Sequence, residues 1–241
     1  MRSNFSFQHT AAWGVHLFTS TGILAGFMAL LAISEHQWRA AAFWLIICQI
    51  IDGVDGTFAR LFRVKEVLPV MDGKNIDQVI DFATYAILPA YFFYEAGMAP
   101  DSWRLACVFA MLLAAAMYYG KEGMISEDMH FIGFPVMWNV VVYFLFFVYD
   151  FPLEINGLIV FIFAFLHFVP LRYPYPSRML EYQKFTLLLS SAALFSAVGS
   201  VWIFPEKNLW LAGMVTVAIL WYAFLTYRSS FRAQSPVNNP L

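Results

Sequence analysis

The chain has 241 residues, of which 61% are hydrophobic and 12% charged, whereas soluble domains run near 45 to 50% and about 25%. This excludes an ordinary soluble domain and indicates an integral membrane protein, and a formal net charge of −2 offers no basic footprint for a nucleic-acid partner. Cys48 and Cys107 both lie in apolar runs, which favours two buried thiols over a disulfide framework.

Apolar stretches long enough to span a bilayer fall at about 11–33, 38–60, 77–98, 103–120, 131–149, 153–171, 184–204 and 207–228. They predict an all-α, polytopic integral membrane helix bundle of about eight transmembrane helices, forming a single membrane-embedded domain over residues 1–241. The first stretch is too long for a signal-peptide core and is read as a retained helix. With both termini cytoplasmic, Arg2, Arg60, Arg63, Lys65, Lys74, Lys121, Arg172, Arg178, Lys184, Arg228 and Arg232 fall inside, and only Arg39, Arg104 and Lys207 fall outside. That asymmetry obeys the positive-inside rule.

The first helix carries His16 and Thr19 in an otherwise apolar run. They either bond to neighbouring helices or, being three residues apart, face a site together. The second and third helices carry the chemistry. Asp52, Asp55, Gly56, Ala59 and Arg60 share one helical stripe, and Gly73, Asp77 and Asp81, spaced by four, share another. A carboxylate near the bilayer costs roughly 2.5 to 3.5 kcal/mol even on the gentler insertion scale, so four together call for a cation between the stripes. Hard divalent cations take carboxylate oxygens, and Mg2+ is commonly shared between carboxylates and a substrate phosphate. Two such ions would suit in-line displacement at phosphorus. The small residues on these faces leave room for a flat group or a close backbone approach.

The pattern D-x-x-D-G-x-x-A-R, a spacer, then G-x-x-x-D-x-x-x-D resembles the signature of the CDP-alcohol phosphatidyltransferases. The spacer from Leu61 to Asp72 is longer than in most of that family, and with the flanking segments it is most similar to the bacterial phosphatidylcholine synthases. The resemblance implies an enzyme that joins choline to CDP-diacylglycerol, yielding phosphatidylcholine and CMP. It implies Mn2+ or Mg2+, with two ions, held by Asp52, Asp55, Asp77 and Asp81. Asp81 would also accept the choline proton. Arg60 would balance phosphate charge, and Gly56, Ala59 and Gly73 would make space for the cytidine. A homodimer in the bacterial inner (cytoplasmic) membrane, with its active site at the cytoplasmic face, belongs to the same expectation.

Further along, Tyr118 to Asn139 forms a loop rich in acids and aromatics. A quaternary ammonium is held by aromatic faces and nearby carboxylates, so Tyr118, Tyr119, Glu122, Glu127, Asp128 and Trp138 are choline-binding candidates. An interfacial aromatic belt beside a solvated acidic loop is the competing reading. Beyond the sixth helix, Arg172 and Arg178 stand among Pro170, Pro174 and Pro176 in a segment that cannot remain helical. Their guanidinium forks suit a phosphate or pyrophosphate, and membrane anchoring explains them nearly as well. Tyr173 and Tyr175 are further choline candidates. The last two helices carry interfacial anchors such as Trp202, Trp210 and Trp221, and the polar stretch from Ser229 to Leu241 is expected to be disordered.

Two other functions compete. A different acceptor (serine, glycerol phosphate or inositol) would keep the nucleotide-lipid, but a phosphate-bearing acceptor needs added Arg or Lys. A cation transporter also places acids in the membrane, yet repeated halves and interrupted midplane helices are missing from this sequence.

Overall fold

The computed structural model describes residues 2–176, 178–179 and 181–232, with side chains from residue 7 to residue 231 within those ranges. The helices are α1 (Arg2–Ser34), α2 (Trp38–Leu61), α3 (Val64–Val67), α4 (Gly73–Asp81), α5 (Leu88–Glu95), α6 (Asp101–Tyr119), α7 (Trp138–Tyr143), α8 (Leu153–Leu166), α9 (Gln183–Ile203) and α10 (Leu209–Arg232). Among the described residues, five apolar segments are long enough to cross a membrane: Phe7–Ser34, Trp38–Leu61, Asp101–Tyr119, Gln183–Ile203 and Leu209–Phe231. Trp138–Val148 and Leu153–Leu166 are shorter apolar helices. The architecture is all-α and multi-pass. The chain divides into two compact units, residues 1–97 and 98–241.

In the first unit, α1 and α2 form a hairpin. Alanines at 25, 29, 32, 41 and 42 are buried along it, and such small residues let transmembrane helices approach closely. The corner is closed by a paired hydrogen-bond stop, His36 N–H to the Ile33 carbonyl at 2.9 Å and Gln37 N–H to the Ala32 carbonyl at 2.8 Å. His36 takes the left-handed backbone that this stop requires, with φ of 55°. Asp72 starts α4 as its N-cap by accepting from the Lys74 N–H at 3.0 Å.

The helix expected at 77–98 is present with a change of winding. Phe82–Ile87 forms a π-helical turn between α4 and α5. Pro89 lies in the first turn of α5 and lacks an N–H, so the regular ladder is already broken there. Wider turns of this kind are frequent at functional sites.

The second unit departs more from expectation. The fifth apolar helix begins at Trp138 rather than near residue 131, and continues through a π-helical turn at Phe144–Val148. The residues before it are extended. Strand β1 (His130–Ile132) pairs antiparallel with β2 (Arg172–Pro174), placing His130 opposite Pro174 and Ile132 opposite Arg172. Gly133 then turns with φ of 89°, and a Cβ there would collide with the His167 carbonyl. Helix α8 stops at Leu166, short of the expected 171, and its end is stapled to this loop. The Leu166 carbonyl accepts from the Phe134 N–H at 2.9 Å, and the Leu171 carbonyl accepts from the Gly133 N–H at 2.8 Å. Helix α10 runs on to Arg232, so the expected tail begins later than Ser229, and its residues 233–241 lie outside the described residues.

Candidate active site

Helices α1, α2 and α4 bring the acidic stripes together in the first unit. Carboxylate oxygens of Asp52, Asp55 and Asp77 lie within 4.8 Å of one another. Asp77 and Asp81 both come within hydrogen-bonding reach of Asp52. Asp55 is buried, and the other three are half-buried.

Among the described residues, none of the four acids forms an ion pair with Lys, Arg or His. Arg60, on the same stripe of α2, is exposed and donates to the Thr57 hydroxyl at 3.1 Å. Like charges crowded at this range in a poorly solvated setting repel strongly. The donor set fits a divalent cation, being all carboxylate oxygens converging on one place with no internal counter-charge.

Neutral hydroxyls orient the cluster. The Tyr85 hydroxyl donates to Asp52 Oδ2 at 2.6 Å, and Thr19 on α1 hydrogen-bonds Asp55. Such donors fix ligating carboxylates without neutralising them. Tyr85 went unnoticed in the sequence, although its signal was there: it lies four residues beyond Asp81 and extends the run Gly73, Asp77, Asp81 by one step.

The small residues of the signature have distinct surroundings. Half-buried Ala59 packs on an apolar cluster of Ala12, Val15, Val64 and Leu68. A Cβ on Gly56 would meet the Arg60 guanidinium at 3.4 Å. At Gly73, a Cβ would meet His16 Cε1 at 3.0 Å, so the imidazole rests on this glycine. His16 is 5% exposed, and among the described residues its Nε2 has no partner.

The structure divides the remaining candidates, all in the second unit. Glu122 and Glu127 are exposed on the loop after α6. Asp128 pairs with Arg172, so one proposed cation binder and one proposed anion binder satisfy each other. Burial opposes charging of Asp128, but the Ser126 hydroxyl, Arg172 and His130 outweigh it and hold the carboxyl below its ordinary range. Arg178 is exposed, and its guanidinium lies over the Tyr175 ring at 4.9 Å, which in turn stacks on Phe131 at 4.7 Å. Tyr118 and Trp138 are buried together around His167, and Tyr119 is half-buried at the end of α6.

The chain is 36% identical over 168 residues to the phosphatidylcholine synthase of Rhizobium meliloti (strain 1021), covering 70% of this chain and 69% of that one. It is 30% identical over 243 residues to the phosphatidylcholine synthase of Legionella pneumophila subsp. pneumophila, covering 96% and 95%. The chain belongs to the phosphatidylcholine synthase family. It is also 31% identical over 221 residues to the phosphatidylcholine synthase of Borreliella burgdorferi, covering 91% and 93%. No family model matches the chain. Membership makes it a membrane-embedded phosphatidyltransferase of phospholipid biosynthesis, consistent with a site built from carboxylates between apolar helices.

Proposed function

We propose that the protein transfers the phosphatidyl group of CDP-diacylglycerol to choline, releasing CMP, at the cytoplasmic face of a bacterial inner membrane. The observation that carries this is the convergence of Asp52, Asp55 and Asp77 within 4.8 Å with no ion pair, among the described residues, to neutralise them. Asp52, Asp55 and Asp77, with Asp81 completing the set, would hold Mg2+ or Mn2+ as two ions, and divalent charge at this place would supply neutralisation for the pyrophosphate and the developing transition state.

The residues of the chain do the rest. Asp81, one turn beyond Asp77, accepts the proton of the choline hydroxyl while its oxygen forms the new bond to the diacylglycerol-bearing phosphorus. The bond from that phosphorus to the bridging oxygen breaks, and CMP leaves with the electron pair. Tyr85 and Thr19 keep Asp52 and Asp55 in their rotamers. Arg60 balances phosphate charge, and Gly56, Ala59 and Gly73 keep the nucleotide face low. Of the two arginines offered for phosphate, Arg178, whose guanidinium lies over the Tyr175 ring, is the better candidate, because Arg172 is paired with Asp128. The working form is a homodimer.

Purified protein supplied with CDP-diacylglycerol tests this when choline, serine, glycerol phosphate and inositol are added in turn. CMP release with choline and not with the other three is expected. Equal release with any other acceptor rejects choline as the substrate.

A further inference from the structure

The second unit contains buried polar atoms that the described residues do not satisfy. Tyr118, Trp138, Asn139 and His167 are 4%, 0%, 6% and 0% exposed. Among the described residues, their Oη, Nε1, Oδ1 and Nε2 atoms have no hydrogen-bond partner. Each such orphan costs on the order of 1 to 3 kcal/mol, and the great majority of buried polar atoms in native proteins are paired. Three of them, on Tyr118, Asn139 and His167, carry lone pairs and lie on neighbouring elements, which points to an electron-poor group absent from the polypeptide; Trp138 Nε1 only donates, and Trp138 counts here for its ring face.

Their surroundings say what kind of thing. The His167 ring lies 5.2 Å from Trp138, 5.5 Å from Tyr118 and 5.5 Å from Phe134, centroid to centroid. Phe134 in turn meets Tyr173 at 5.6 Å. His167 Nδ1 lies 2.7 Å from the Phe163 carbonyl. A carbonyl can only accept, so Nδ1 carries the proton, and neutral His167 has a bare lone pair on Nε2. That lone pair, the Asn139 carbonyl oxygen and the Tyr118 oxygen are electron-rich and bear no formal charge. No carboxylate of the adjoining loop joins them, since Glu122 and Glu127 are exposed and Asp128 is held by Arg172.

We propose that Tyr118, Phe134, Trp138, Asn139, His167 and Tyr173 form a neutral box for a quaternary ammonium. Such a cation has no N–H to donate. It is bound by aromatic faces and by lone pairs set against its polarised methyl groups. An unpaired buried carboxylate is avoided, so the group itself carries no isolated charge. The ends of α6 and α8 and the Gly133–Phe134 turn, stapled to the Leu166 and Leu171 carbonyls, fix the walls. This rests on choline as the acceptor and adds where its head is held: His167, Asn139 and Phe134 join Tyr118, Trp138 and Tyr173, while Glu122, Glu127 and Asp128 drop out.

The test measures equilibrium binding of labelled choline to the purified full-length protein, in competition with 3,3-dimethylbutan-1-ol, in which carbon replaces the charged nitrogen. CMP release is followed separately. Wild type should prefer choline strongly over the neutral isostere. Tyr118→Leu, which removes the ring, and His167→Leu should each weaken choline binding about 2- to 30-fold, the span of one lost cation contact, and narrow the preference. The KM for CDP-diacylglycerol should not change. Variants that keep wild-type choline affinity and preference overturn the box, even if choline remains the substrate. Choline binding that depends on the box without any choline-driven CMP release sustains the box and rejects the acceptor reading. Absence of choline binding in wild type overturns the box.

Discussion

Two groups of acids in this protein have opposite fates. Asp52, Asp55, Asp77 and Asp81 crowd together in the first unit with only neutral hydroxyls from Tyr85 and Thr19 for company. Asp128 in the second unit has a guanidinium, a hydroxyl and a histidine around it. In sequence the two groups look alike, acids beside apolar helices with arginines nearby. The fold separates them by counter-charge. Acids whose charge is answered inside the chain tie β1 to β2, and acids left unanswered are arranged for a cation from outside. A high density of carboxylates is weak evidence of a site until the whereabouts of the cations is known.

The largest effects should follow from breaking the unanswered cluster. Asp55→Asn or Asp77→Asn should lower turnover by about 1000-fold or more, because each removes a carboxylate from the shared ligand set, while the protein still inserts and keeps its helical circular dichroism. Loss of membrane insertion in both variants would mean that the acids serve folding instead. Asp81→Asn comes next, with single-turnover rate down about 100-fold, the usual range for losing acid-base help, and affinity for CDP-diacylglycerol retained. The reverse pattern, weak binding with normal single-turnover rate at saturating lipid, makes Asp81 a binding ligand and not the base. Tyr85→Phe removes one orienting donor and leaves all four carboxylates, so metal affinity should fall by roughly 10-fold. An unchanged metal titration would make the 2.6 Å contact incidental.

The answered acid should matter least. Asp128 has a side chain 54% exposed, and exposed pairs contribute about 0 to 1 kcal/mol, so Arg172→Ala should leave catalysis within about 2-fold and stability within about 1 kcal/mol. The Asp128 carboxyl lies below its ordinary value of 3.8. A depressed carboxyl stabilises above the unfolded value and loses that contribution as pH falls through the folded one. The β1 to β2 tie should therefore persist through neutral and mildly acidic pH and loosen below about pH 4. Hydrogen exchange of the β1 amides would show this, and exchange that stays unchanged below that pH would contradict it.

Much of this was legible beforehand. The hydropathy pattern located the long helices, and the four-residue spacing of Gly73, Asp77 and Asp81 predicted the face that meets α2. The same spacing reaches Tyr85, but an aromatic in an apolar run looks like core packing until its hydroxyl is seen on Asp52. The second unit was harder. A short strand pair between segments some forty residues apart in sequence leaves no local periodicity, so residues 131–137 passed for the start of a helix. The pairing of Asp128 with Arg172 depends on that same non-local register. His167 was invisible as a functional residue, because its surroundings come from three separate stretches of chain.

The distinction between answered and unanswered acids is tested most directly by Mn2+ binding to the purified protein, followed by electron paramagnetic resonance of the free ion. The account predicts that wild type and Asp128→Asn bind Mn2+ alike, and that Asp55→Asn and Asp77→Asn lose that binding. Equal binding in all four proteins would contradict it.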